Sequence, residues 1–158
     1  MPVSNLPAKL QERFTLNGYE STLDLRNYPL DSLSSAEFSA LLNLLKENSC
    51  LRSLILANCG LARLKVELLG QLLSNLNHLI GLNLDNNDLS SDSERLKQVY
   101  QRLECLPQLR VFSIQERKLN QQKRAPEFFT GLRTLPTLRA FKVDENVISF
   151  LNFSEIVA

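Results

Sequence analysis

The run Leu79-Ile80-Gly81-Leu82-Asn83-Leu84-Asp85-Asn86-Asn87-Asp88-Leu89 sets the pattern on which the rest of the chain is built. Leu82 and Leu84 alternate with small or polar residues, so a short extended segment would bury one face and expose the other. Asn87 follows where the backbone turns, and its side chain can hydrogen-bond loop backbone groups that would otherwise be buried without partners. A single unit of this kind cannot bury its own apolar face, so the run predicts similar neighbours.

Similar runs occur at four other places in the chain. The five runs begin at residues 20, 51, 79, 109 and 138, and the successive steps are 31, 28, 30 and 29 residues. So regular a spacing of apolar residues indicates a repeat protein. At the turn position that Asn87 holds, the second unit has Cys59. Tyr28 and Arg117 hold that position in the first and fourth units, so the turns there must find their hydrogen bonds elsewhere.

The segments between the runs predict helices. Ser34 and Glu37 have the spacing of a capping box, and Ser91 and Glu94 repeat it later in the chain. Pro126 suits the first position of a short helix in the fourth unit. Apolar stripes at helical spacing are formed by Leu41, Leu42, Leu44 and Leu45, by Leu64, Leu68, Leu69, Leu72 and Leu73, and by Leu96, Val99, Tyr100 and Leu103.

Both ends of the chain depart from the repeat. Apolar residues recur near helical spacing in residues 1–18, and we expect an N-terminal cap there, because the open end of a stacked core must be covered. The alternative is a helix that docks onto another protein. The short apolar tail, residues 149–158, is expected to form a C-terminal cap, the alternative being a sorting or secretion signal. The whole chain is thus predicted to be a single domain with five repeats over residues 19–148.

Repeats of 28 to 31 residues with intervening helices, and a cysteine at one turn position, resemble the ribonuclease-inhibitor-like class of leucine-rich-repeat proteins. The resemblance covers Glu20 to Ile148. It implies an α/β fold, a curved solenoid or horseshoe, with about five parallel strands on the concave face and helices on the convex face.

Residue types that carry chemistry are too scattered to predict a catalytic or metal site. His78 is the only histidine, so a multi-histidine metal site is excluded. Asp85, Asp88 and Asp92 do not match the spacing of a calcium loop. We therefore expect no enzymatic activity, no cofactor and no metal. The three cysteines are an odd number without metal-ligand spacing, which favours a cytoplasmic or other reducing compartment, including that of a host cell.

The charge balance argues against two classes of partner. A net charge of +1 gives no global reason to expect nucleic acid or a membrane surface. The chain also lacks an apolar run long enough to span a bilayer. We expect a monomer whose partner is another protein.

The outward positions of the predicted strands are the expected binding surface. The predicted column at the strand starts is Ser21, Arg52, Ile80, Arg110 and Arg139, and the predicted central column is Asp24, Ile55, Asn83, Ser113 and Lys142. One edge of the surface thus carries three arginines and the other the four carboxylates of Asp85, Glu116, Asp144 and Glu145, roughly 20 Å apart. Exposed strand positions are polar in any case, but the separation of charge also suits a partner of complementary polarity. The predicted partner-binding residues are Arg52, Ile55, Asn83, Asp85, Arg110, Ser113, Gln115, Glu116, Arg139, Lys142, Asp144 and Glu145.

The expected function is therefore a non-catalytic protein-protein interaction module. The chain resembles bacterial leucine-rich-repeat effectors that act on host proteins, and also small eukaryotic adaptors, with the polar, asparagine- and glutamine-rich turns favouring an effector. The alternative is a substrate-recognition subunit of an enzyme or ubiquitin-ligase complex whose catalytic part lies elsewhere. Both readings rest on analogy with the architecture.

Overall fold

The computed structural model describes residues 6–16, 21–89, 92–115, 135, 137–138 and 140–142. Its helices and strands are α1 (Ala8–Leu16), β1 (Thr22–Asp24), α2 (Ser35–Glu47), β2 (Ser53–Ile55), α3 (Val66–Ser74), β3 (Gly81–Asn83), α4 (Ser93–Glu104), β4 (Val111–Ser113) and β5 (Ala140–Lys142). Short 3-10 helices, Leu30–Ser32 and Leu61–Arg63, follow β1 and β2. The predicted helix at Pro126, the turn at Arg117 and the cap at residues 149–158 lie outside the described residues.

The strands lie side by side in chain order and form one parallel sheet. Leu23, Leu54 and Leu82 are register partners, and Phe112 continues their row on β4. One repeat of the sequence therefore adds one strand, and α2, α3 and α4 each lie between consecutive strands in the chain. The predicted α/β class with parallel strands is confirmed.

Two rows of inward side chains build the core beneath the sheet. The first row is Leu23, Leu54, Leu82 and Phe112, and the second is Leu25, Leu56, Leu84 and Ile114. No side chain in either row is more than 3% exposed. The helices bury their apolar stripes in the same cluster, through Phe38, Leu41, Leu44 and Leu45 of α2, Leu69, Leu72 and Leu73 of α3, and Leu96, Val99 and Leu103 of α4. The core is thus continuous from repeat to repeat.

Side-chain caps begin two of the helices. In α2 the predicted capping box is present: the Ser34 N–H donates to Glu37 Oε2 at 2.7 Å, and the Glu37 N–H donates to Ser34 Oγ at 3.2 Å. In α4 the prediction of Ser91 as the capping residue is wrong. The cap is Asp92, whose Oδ1 accepts from the Glu94 N–H at 2.9 Å. The helix begins one residue later than expected, where a carboxylate also suits the positive end of its dipole.

Asn87 holds the turn after β3 to the preceding repeat. Its Oδ1 accepts from the N–H groups of Cys59 and Leu61, at 2.9 and 3.3 Å. Its Nδ2 donates to the carbonyls of Leu56 and Leu84, at 2.8 and 3.0 Å. The side chain is 3% exposed, so these backbone groups are satisfied away from water. The predicted role of Asn87 is confirmed.

Cys59 performs part of the same task one repeat earlier. Its thiol donates to the Leu25 carbonyl at 3.1 Å and to the Ala57 carbonyl at 3.5 Å. Burial raises the pKa of this thiol from 9.0 to about 11. The stability that the neutral thiol contributes is therefore present below pH 9 and lost as the pH rises through 11.

A first prediction concerns the turn at Gly60, whose φ is +72°. A Cβ there would lie 2.5 Å from Asp31 Oδ1, and the Asp31 carboxylate is itself held by Arg63 Nε at 2.9 Å. We expect Gly60→Ala to lower the free energy of unfolding by about 1–3 kcal/mol, because left-handed backbone is strained with a Cβ and the carboxylate must move. Urea unfolding followed by circular dichroism measures the change.

The matched control for Gly60→Ala is Gly70→Ala in α3. A Cβ at Gly70 would lie 3.2 Å from Gln98 Nε2, the end of a flexible side chain. Helix propensity favours alanine there by about 1 kcal/mol, so the stability should stay close to that of the unsubstituted protein. Equal losses for the two substitutions would contradict the role given to the turn.

Helix α1 lies against the first strand. Leu6, before the helix, and Leu10, within it, are buried in the core cluster. Arg13 donates from Nη1 to the Asp24 carbonyl and from Nη2 to the Arg26 carbonyl, each at 3.2 Å. These carbonyls face away from β2, because the alternate residues of the strand make the bonds to β2. Arg13 therefore supplies donors to the free edge of the sheet.

In the part of the chain that the structure describes, no helix is both long enough and apolar enough to cross a bilayer.

Candidate partner-binding face

The outward residues of the strands form aligned columns. The predicted central column of Asp24, Ile55, Asn83, Ser113 and Lys142 is confirmed by the register of the sheet. The strands bring these residues side by side although they lie about a repeat apart in sequence. In β1 to β4 the residue before each member of this column is buried, namely Leu23, Leu54, Leu82 and Phe112, so the alternation predicted from the sequence holds in those strands.

The row at the strand starts, called here the start row, comprises Ser21, Arg52, Ile80 and Arg110 in the described chain. The Arg52 N–H donates to the Ser21 carbonyl at 2.7 Å, and the Ile80 N–H to the Arg52 carbonyl at 2.7 Å. The Arg110 N–H donates to the Ile80 carbonyl at 2.8 Å. The predicted alignment of this row is therefore confirmed as far as Arg110.

Sequence reasoning missed a third column between these two. Thr22, Ser53, Gly81, Val111 and Ala140 are register partners in the sheet. The sequence could have predicted this column, because the residues on both sides of a buried strand residue such as Leu54 point outward. The predicted binding surface instead included the start row, which lies one residue earlier in each unit, and omitted this column.

The missed column carries an exposed apolar side chain beside a gap. Val111 is 49% exposed, and no other large hydrophobic residue of the described chain is exposed. Its register partner Gly81 has no side chain, and a Cβ there would lie 3.3 Å from Ser53 Oγ. Gly81 is therefore a notch, a position without a side chain between Ser53 and Val111, with half-buried Ile55 at the end of β2 and half-buried Ile80 just before β3.

Both described arginines of the predicted basic edge are exposed. Arg52 donates from Nη1 to the carbonyls of Ser49 and Leu51, at 2.7 and 3.2 Å, so its guanidinium lies against the loop after α2. Among the described residues, neither Arg52 nor Arg110 forms an ion pair with a carboxylate. Two positive charges therefore lie at the strand starts without a described counter-charge.

Asp85, by contrast, is engaged within the fold. Its Oδ1 accepts from Ser113 Oγ at 2.6 Å and from the Gln115 N–H at 2.7 Å. Asn83 Oδ1 accepts from the Asp85 N–H at 2.9 Å, an Asx-type turn. Asp85, Ser113 and Gln115, all predicted contact residues, thus connect the ends of β3 and β4.

Ser113 is less open to a partner than its outward position predicts, and its role as a contact residue stays a prediction. The residue is 9% exposed, and its hydroxyl donates to Asp85. Its position in the outward column was correct, but the hydrogen bond across the strand ends leaves it covered. Ile55, Asn83, Asp85 and Gln115 are half-buried.

Four predicted contact residues, Glu116, Arg139, Asp144 and Glu145, lie outside the described residues. Lys142 lies in β5, where its backbone is the register partner of Ser113. Asp85 is therefore the one member of the predicted acidic edge that the structure describes, and the separation of charge across the face stays a prediction.

Asparagines at the outer rim of the face have a backbone role. Asn27, Asn58 and Asn86 have φ angles of 65°, 53° and 58°. Asparagine tolerates this left-handed region better than most residues, because its short side chain can bond locally. Asn58 Nδ2 also donates to Asn27 Oδ1 at 2.9 Å. Asparagine therefore recurs at this position because the turn requires a left-handed backbone.

The described residues offer no cluster of metal-ligating side chains. No three His, Cys, Asp or Glu residues in that part of the chain are placed to hold a metal ion. His78 is half-buried in the loop before β3, Asp88 lies in a left-handed turn and Asp92 caps α4. All three cysteines are free thiols, with Cys59 buried and the other two exposed.

Comparison of the chain with protein-family models, with curated proteins and with solved structures finds no match.

Proposed function

We propose that this chain is a leucine-rich-repeat solenoid that binds another protein through the exposed face of its parallel sheet. The single observation that carries the proposal is Val111, which is 49% exposed beside the notch at Gly81. Val111 shares this face with half-buried Ile55 and Ile80, and grouped apolar residues on an exposed surface are typical of binding sites. No catalytic role is proposed for any residue.

The proposed curvature follows from the packing distances expected for the two layers. Neighbouring strands lie about 4.8 Å apart, whereas packed helices need about 8–10 Å. A stack with one strand and one helix in each repeat therefore bends, with the sheet on the inside. The face would then be concave and would surround a partner from several strands at once.

Helix α1 would cap the first repeat, since Leu6 and Leu10 cover its core and Arg13 its free edge.

The asparagine-rich turns, which favoured a bacterial effector, have a structural reason in their left-handed backbone and in the bonds of Asn87. Turn composition therefore no longer supports an effector over an adaptor. The proposal accordingly concerns the binding face and not the source of the partner.

The test is to fill the notch with Gly81→Val. Valine suits a strand, and Gly81 does not have a positive φ, so the variant should fold. Binders are first selected against the unsubstituted protein from a library of displayed peptides. We expect most of them to lose about tenfold or more in affinity for Gly81→Val, because the added side chain projects from the sheet face and keeps a bound partner from close contact. Isothermal calorimetry or fluorescence anisotropy measures the loss.

Gly70→Ala is the control for this experiment, since it changes a buried glycine in α3 and leaves the sheet face alone. Binders should retain their affinity for it. If the selected binders recognise Gly81→Val as tightly as the original protein, the proposed face is not the binding surface.

A further inference from the structure

The two exposed arginines lie on alternate strands of the sheet. Arg52 precedes β2 and Arg110 precedes β4, with Ile80 between them and hydrogen-bonded to both backbones. Neighbouring strands are about 4.8 Å apart, so the two arginine Cα atoms are about 9.6 Å apart. The start row thus carries two exposed cationic side chains on either side of a half-buried isoleucine, with the Arg52 guanidinium also hydrogen-bonded to the carbonyls of Ser49 and Leu51.

We propose that the partner presents an acidic α-helix that lies across the strand starts, with one carboxylate facing each arginine and an apolar side chain between them. This inference rests on the proposed function. In a helix, residues seven apart lie on one face and about 10.5 Å from each other, close to the spacing of Arg52 and Arg110. A residue midway between the two carboxylates, three or four positions from each, would then lie near Ile80 and the notch at Gly81.

An extended segment fits the same row poorly. Side chains on one face of a strand recur about every 6.7 Å, so its acidic residues would be about 6.7 or 13 Å apart. Neither spacing matches the distance of about 9.6 Å between the Cα atoms of Arg52 and Arg110. The Cα spacing of the two arginines is therefore closer to the repeat of a helix than to either spacing of an extended chain, which favours a helical partner.

The charges of the face select an acidic partner. Arg52 and Arg110 lack carboxylate partners among the described residues, and the Asp85 carboxylate already accepts two hydrogen bonds. Asp85 also lies after the end of β3, away from the strand starts. An acidic helix would therefore approach without meeting a free carboxylate in the described part of the start row.

The experiment compares two displayed libraries selected against the unsubstituted protein. One randomises a single face of a stable helical hairpin, and the other displays linear, unstructured peptides. We expect the helical library to enrich pairs of Asp or Glu seven residues apart with an aliphatic residue between them. These binders should lose about 10- to 100-fold in affinity for the double variant Arg52→Glu with Arg110→Glu, since two attractive contacts become repulsive.

Two further measurements separate charge pairing from a general effect of charge. Binders carrying lysine in place of both acidic residues should regain affinity for the double variant. Lys46→Glu with Lys97→Glu changes the net charge equally at exposed positions in α2 and α4, and it should leave affinity within about twofold at about 150 mM salt, where distant charges are screened.

Enrichment of unstructured peptides alone, or equal affinity for the arginine double variant and the original protein, would overturn the acidic-helix inference. If the selected binders in either case still lose affinity for Gly81→Val, the proposed binding face stands without the acidic-helix inference. Binders that depend on neither the arginines nor Gly81 would overturn both proposals.

Discussion

Replacing Asn87 by leucine is expected to lower the free energy of unfolding by about 3–5 kcal/mol, because each buried polar group left without a partner costs about 1–3 kcal/mol and these contributions are not additive. The side chain serves the N–H groups of Cys59 and Leu61 and the carbonyls of Leu56 and Leu84. Leucine has nearly the same size but neither donates nor accepts. Equilibrium unfolding in urea measures the difference.

Two other substitutions test whether the missing hydrogen bonds cause the loss. Asn43→Leu alters an exposed position in α2 and should change stability by no more than about 0.5 kcal/mol. Asn87→Cys should be less damaging than Asn87→Leu, because a thiol at the equivalent turn, Cys59, donates to the Leu25 and Ala57 carbonyls. A loss below about 1 kcal/mol for Asn87→Leu would mean that the turn can rearrange or admit water.

Truncating Leu84 to alanine is the second large expected effect. Leu84 is fully buried in the inner row between Leu56 and Ile114. Removing its side chain should lower the free energy of unfolding by about 2–5 kcal/mol, through lost burial and the cavity left behind. Leu84 belongs to one core cluster with Leu56 and Ile114, so the cavity weakens the packing toward the strands on both sides. Chemical unfolding monitored by circular dichroism measures the effect.

Val111→Ala is the control on the opposite side of the same sheet. Val111 is 49% exposed, so its truncation should change stability by less than about 1 kcal/mol, while weakening binders of the sheet face. Loss of binding by Leu84→Ala would reflect unfolding and would not identify a contact. Similar stability losses for the two variants would mean that Leu84 is not part of a tightly packed core.

The repeated spacing of apolar residues was sufficient to predict the order and register of the strands. Leu23, Leu54 and Leu82 occupy equivalent positions, and burying all of them in one core requires parallel strands with no relative shift. The role of Asn87 followed equally directly, because a buried turn needs donors and acceptors that its own backbone cannot provide.

The state of individual outward side chains could not be predicted in this way. Periodicity states which way a residue points, but exposure also depends on neighbours that arrive from a different repeat. Ser113 points outward and is nevertheless covered, because Asp85 of the preceding repeat accepts its hydroxyl. Val111 points outward and stays exposed, because its neighbour from the preceding repeat is Gly81.

The sequence by itself therefore determined the parallel α/β layering, the strand register and the polar support of the turn at Asn87, since each depends on residue type at a regular spacing. Tertiary structure alone decided that Arg13 reaches the free edge of β1, that Asp85 is held within the fold and that Gly81 and Val111 form a notch and an apolar projection. These features arise from contacts between residues far apart in the chain, which a local pattern does not encode.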